Sequence, residues 1–258
     1  RTTVRSSNPV MSSLTENSTR QNSGYGDEAA RPMTVDDVVT KTGITLGVII
    51  VAAAINFGLG MVNPGIAMAL TLVGGLGGFI TVLVASIGKK WGSAAVTLIY
   101  AVFEGLFVGG FSFMFANVNF QGEAGMAIIG QAIVGTIGVF IGMLIVYKTG
   151  AVKVTPKFTK ILFGLVAGVA VMALVNFLGA IFFDFNPLRD GGPIAIIFSL
   201  VCIVLGALSF LTDFDQADRM IRAGAPASNA WGVALGLAVT LVWLYTEILR
   251  FLSYFQRD

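Results

Sequence analysis

Two acids set in apolar surroundings are the residues of this chain best placed to do chemistry. Asp213 closes the run Ala207-Leu208-Ser209-Phe210-Leu211-Thr212-Asp213-Phe214-Asp215-Gln216, and Glu247 interrupts Leu244-Tyr245-Thr246-Glu247-Ile248-Leu249-Arg250. An ionised carboxylate is costly in hydrocarbon, so acids in such runs face a bundle interior or a wet cavity and mark ion or proton paths. Two of them brought together can share a proton, and once ionised their oxygens suit a hard cation such as Ca²⁺. Glu104 lies within Tyr100-Ala101-Val102-Phe103-Glu104-Gly105. There it either lines a pore or, protonated and hydrogen-bonded to a neighbouring helix, is structural. Asn56, Gln131 and Asn176 read as interhelical hydrogen bonders rather than ligands. Asp215 and Asp218 read as loop charges within reach of Arg219 and Arg222. Arg250, three residues after Glu247 on one helical face, offers a plain ion pair as the alternative to any gating role.

The composition says what kind of scaffold must position these acids. Of 258 residues, 55% are hydrophobic and only 12% charged, where a soluble domain has about 25% charged residues. Mean hydropathy is +0.85, which reads as a membrane protein. A net charge of +2, with no basic nucleic-acid patch, argues against nucleic acid as a partner. Histidine is absent, which removes His-based zinc sites and Ser-His-Asp or Cys-His catalysis. The single cysteine, Cys202, permits no intrachain disulfide. No enzyme activity and no cofactor are expected, Ca²⁺ entering only as a permeant ion.

Seven apolar segments are each long enough to cross roughly 30 Å of hydrocarbon. They run over Thr42–Val62, Ile66–Gly88, Ser93–Ala116, Ala124–Tyr147, Phe158–Phe183, Pro193–Thr212 and Leu235–Phe255. The predicted fold is an all-α, seven-transmembrane-helix bundle over 38–258, preceded by a disordered polar cytoplasmic tail over 1–37. Thr34 followed by Asp36 and Asp37 can start a turn leading into the membrane. Glycine pairs at Gly74/Gly78, Gly105/Gly109, Gly138/Gly142 and Gly164/Gly168 allow close helix packing, within the bundle or between copies. Lys89, Lys90, Lys148, Lys153, Lys157, Lys160, Arg219 and Arg222 fall on one side of the alternating topology, against Arg189, Arg250 and Arg257 on the other. That bias predicts a cytoplasmic N-terminus and an outside C-terminus.

The motifs Leu211-Thr212-Asp213-Phe214-Asp215-Gln216 and Leu244-Tyr245-Thr246-Glu247-Ile248-Leu249, on the last two of seven spans, resemble those of the Bax inhibitor (YccA-like, transmembrane Bax inhibitor motif) family. The runs Asp36-Asp37-Val38-Val39-Thr40-Lys41-Thr42-Gly43 and Val242-Trp243-Leu244-Tyr245 resemble its bacterial branch, and the likeness covers about residues 34 to 255. The resemblance implies a bacterial plasma-membrane protein in which two acids share a hydrogen bond, sense protons and gate a calcium leak. The matching positions are Asp213 and Glu247, which would also contact Ca²⁺ transiently. Glu247 stands where the family has Asp, and the two acids are farther apart in sequence than the family leads one to expect.

A pH-sensitive cation leak is therefore the leading reading, with Glu104, Asp215 and Arg250 as pore or structural polar residues. The alternative is a membrane interaction module that restrains a protease or a stress pathway through its loops or tail. An intramembrane aspartyl protease has only the two acids in its favour, since Gly-x-Gly-Asp is absent. A secondary transporter lacks visible repeat symmetry.

Overall fold

The computed structural model describes residues 31–88, 92–116 and 123–255. The proposed tail lies outside them as far as residue 30. Among the described residues, seven helices long and apolar enough to cross a membrane follow one another. They are α1 (Val35–Val62), α2 (Pro64–Ile87), α3 (Ala94–Met114), α4 (Glu123–Thr149), α5 (Pro156–Phe183), α6 (Pro193–Arg222) and α7 (Ala230–Tyr254). The expected all-α bundle is what forms.

Local chemistry sets the helix ends. Asn63, Ser93 and Thr155 cap α2, α3 and α5 by accepting from backbone N–H groups, and proline opens α2, α5 and α6 at a position whose N–H has no helical partner. Two boundaries differ from the hydropathy reading. Thr34 and Asp37 form a reciprocal capping box that starts α1 at Val35, and Met33 is buried beside Ala225, whose carbonyl accepts its N–H at 2.8 Å. Residues 31–37, expected in the tail, are thus tied to the bundle through Met33, while most of the others are exposed. Helix α6 continues ten residues past Thr212, because Asp215–Arg219 (2.8 Å) and Asp218–Arg222 (3.0 Å) pair at i,i+4 and two arginines favour the helix's C-terminal end. The expected loop charges therefore stand on a helix, and the connection to α7 shrinks to 223–229.

Helix α7 is the axis of the bundle. It packs on α1, α3, α4 and α6, and 61% of its apolar window is buried against 11% for α5. Leu237, Leu244, Ile248 and Leu249 of α7 join Ile128 of α4 and Phe210 and Phe214 of α6 in one core cluster. Leu235, Ala238 and Val242 face Ile49, Tyr100 and Ala101 in another. A helix apolar around its circumference must be enclosed, and this one is.

The four glycine pairs divide. A Cβ at Gly105 would stand 2.5 Å from the Ile49 carbonyl, and one at Gly74 2.5 Å from the Phe103 carbonyl. These glycines let α1, α2 and α3 touch backbone to backbone. Gly138, Gly142, Gly164 and Gly168 meet nothing within 4 Å, so α4 and α5 turn these four glycines outward.

Candidate functional site

Both sequence-predicted acids lie on the α6–α7 seam, at different depths. Glu247 is 4% exposed and is held from three directions. Arg189 binds it bidentately, Nη2 donating to Oε1 at 3.1 Å and Nη1 to Oε2 at 3.4 Å. Arg250 Nη1 donates to Oε1 at 3.3 Å, and Ser199 Oγ donates to Oε2 at 3.1 Å. The predicted Glu247–Arg250 pair exists, but Arg189 grips the acid more fully. Each guanidinium also lies near an aromatic ring, Arg189 5.3 Å from Phe198 and Arg250 5.7 Å from Phe111. The site holds two positive charges and one negative.

Arg189 arrives on the α5–α6 connection, whose shape is set by a few polar contacts. Asp184 takes a left-handed conformation (φ 51°) that ends α5, and Phe185 N–H returns to the Gly179 carbonyl. Asn176 accepts from Leu188 N–H at 3.1 Å and donates to Asn186. Expected to join two helices, Asn176 instead folds this loop and so aims Arg189 at the bundle.

Asp213 accepts from Thr240 Oγ1 at 2.7 Å. It lines a cavity of about 430 Å³ with Gly92, Gln216, Met220, Asn229, Gly232, Val233 and Gly236. Among these lining residues it is the ionisable one. The cavity lies at the end of the bundle where Lys41 Nζ donates to the Ala227 carbonyl and Thr97 to that of Trp231. Thr240 precedes Glu247 by seven residues on one face of α7, which is two turns, or about 10 Å. Asp213 and Glu247 therefore do not share a hydrogen bond. Hydropathy started the last helix at Leu235, but it begins at Ala230, which moves Glu247 toward the far end. Between the two acids Gly206 of α6 packs on Leu244 of α7, and on the α3 side of α7 Tyr245 shares a 2.6 Å hydrogen bond with Ser112.

The remaining candidates scatter. Glu104 faces Gly78 of α2, where a Cβ would stand 2.8 Å from its Oε2. Asn56 is fully buried and donates to Thr71 Oγ1 (3.2 Å) and the Leu106 carbonyl (2.7 Å), the interhelical role expected of it. Gln131 is exposed on α4 and Asp215 is tied to Arg219. No group of three or more Asp, Glu or Cys side chains able to hold a metal occurs among the described residues.

The family model described as Bax inhibitor 1 like matches residues 8–257, nearly the whole chain. The chain belongs to the Bax inhibitor 1 like family. It is an integral membrane protein of that family, with seven apolar helices. No curated protein matches it. In this Bax inhibitor 1 like chain the two motif acids keep their places on the last two helices but take separate partners. Sequence reasoning missed Arg189, Ser199 and Thr240. Thr240 was the easiest to find, two turns from Glu247 on the same face.

Proposed function

We propose that the protein is a pH-sensitive cation leak pathway along the α6–α7 seam, with Ca²⁺ the best-matched ion. The observation that carries this reading is a pair of carboxylates at two depths of one seam, Asp213 half-buried at the wall of a cavity and Glu247 buried and neutralised by arginine. Asp213 supplies a hard oxygen site at the cavity. Protonation removes that charge, so flux falls as pH falls through the titration of Asp213. At the opposite end Arg189 and Arg250 are tethered cations on the carboxylate a passing ion would need, and they close the path. The lock is thus the Arg189–Glu247–Arg250 cluster and the proton-sensitive cation site is Asp213, in place of one shared proton. The excess of Lys and Arg on the face of the bundle that carries Met33 and Asp213 supports a cytoplasmic N-terminus, and the motif resemblance supports a bacterial plasma membrane.

Arg189→Gln tests this reading. It should raise Ca²⁺ efflux from proteoliposomes several-fold. It should also expose Cys202, one turn from Ser199 and the sole thiol, to a membrane-impermeant maleimide. In the wild type Cys202 is buried and should stay unlabelled. Unchanged efflux together with unchanged labelling would leave Arg189 a purely structural residue.

A further inference from the structure

We propose that the α4–α5 connection is a binding surface for anionic phospholipid headgroups. It carries Lys148 in the last turn of α4, Lys153 in the connection, and Lys157 and Lys160 at the start of α5, all exposed. What separates these four from the other described basic residues is their lack of partners. Arg31 pairs with Asp37, Arg219 with Asp215, Arg222 with Asp218, and both Arg189 and Arg250 with Glu247. Lys41 is buried, bound to the Ala227 carbonyl and 5.7 Å from the Trp231 ring. The four lysines have no hydrogen bond or ion pair among the described residues. No Asp or Glu occurs in the sequence between Ala124 and Phe183, and the acid that reaches the end of α4, Asp218, accepts from Tyr147 at 3.3 Å and pairs with Arg222.

Their position in the bundle names the partner. Helices α4 and α5 are its most peripheral members, with 17% and 11% of their apolar windows buried, so lipid surrounds the hairpin on most sides. Ile161, 54% exposed, and Val152, 36% exposed, sit beside the lysines. The cations therefore emerge at the depth where acyl chains meet headgroups, and lysine stems can lie along apolar surface while the ammonium reaches a phosphate. The end of α5 is already capped by Thr155, whose Oγ1 accepts from Phe158 N–H at 3.1 Å. The surface thus belongs to the lysines and not to the helix terminus. Each lysine near an anionic leaflet contributes about fivefold to partitioning, an effect that salt weakens.

The test is the lipid retained by the purified full-length chain. The protein is reconstituted in phosphatidylcholine containing a minority of phosphatidylglycerol, re-extracted, and its bound lipids are counted by native mass spectrometry. The wild type should retain phosphatidylglycerol well above its share of the bilayer, and less of it at high salt. The variant K148Q/K153Q/K157Q/K160Q should lose most of that enrichment, given the contribution per lysine. The corresponding four-arginine variant should keep it, which separates charge from damage to the fold. The proposal is overturned if the wild type shows no enrichment, if high salt leaves the enrichment intact, or if the four-glutamine variant retains as much as the wild type. Ion flux does not enter the measurement, so its outcome is independent of the leak.

Discussion

Glu247→Gln should lower the thermal midpoint of the detergent-solubilised protein by about 10 °C. The substitution keeps the side chain's size and an acceptor oxygen but removes the one negative charge between Arg189 and Arg250. Both arginine side chains are 23% exposed, too enclosed to regain full hydration, and they would face each other unneutralised. Removing one partner of a buried pair costs about 3–5 kcal/mol. The lower figure applies here, because each guanidinium keeps some water. At roughly 2–4 °C per kcal/mol for a chain of this size, the shift is about 6–12 °C. Arg250→Gln provides the contrast. It leaves a neutral, bidentate Arg189–Glu247 pair and should cost about 1 kcal/mol or less, mostly lost contact with Phe111. Equal effects of the two substitutions would show that the charge balance drawn for this site is wrong.

Gly109→Leu should be as damaging, for a steric reason. A Cβ there would meet the backbone of Ala53, with Cα 2.7 Å away, and a helix backbone cannot rotate aside as a side chain does. Overpacking of a well-packed interior costs about 1–3 kcal/mol and occasionally more, and an unyielding obstacle puts this site at or above the top of that range. Helices α1 and α3 would have to separate, loosening the wall against which α7 packs. Gly138→Leu and Gly164→Leu, at glycines of the same small-xxx-small spacing, open onto nothing within 4 Å and should leave the midpoint within about 2 °C. Thermal melts of the three variants in one detergent decide it. A midpoint for Gly109→Leu as high as that of Gly138→Leu would mean that α1 and α3 do not approach as closely as described.

These two cases also show what was legible in the sequence. Seven apolar runs were enough to count and order the helices, because the bilayer leaves few other ways to satisfy a backbone. Hydropathy failed at ends where polar residues continue a helix. Asp215, Asp218, Arg219 and Arg222 end the apolar run but extend α6 through i,i+4 pairs, and Thr34 with Asp37 caps α1 within the expected tail. Spacing showed that Gly105/Gly109 and Gly138/Gly142 can both pack closely. Which pair faces the bundle depends on the tertiary arrangement. For the site, burial of Glu247 and its contact with Arg250 followed from local spacing. Arg189 did not, being 58 positions away on a loop whose path depends on Asn176 and a left-handed Asp184. The motifs placed Asp213 and Glu247 on adjacent helices correctly, yet adjacency of helices does not fix depth. The five residues by which α7 begins before Leu235 shift Glu247 by about 7 Å along its axis, which is more than one turn.

We propose that Asp213, at its cavity, provides the cation site of a pH-sensitive leak. It is tested by Ca²⁺ efflux from proteoliposomes across roughly pH 5 to 8, for the wild type and Asp213→Asn. Wild-type efflux should rise with pH, and that of the variant should be lower and flat over the same range. Wild-type efflux indistinguishable from empty vesicles at every pH, or an Asp213→Asn profile superimposable on the wild type, would contradict it.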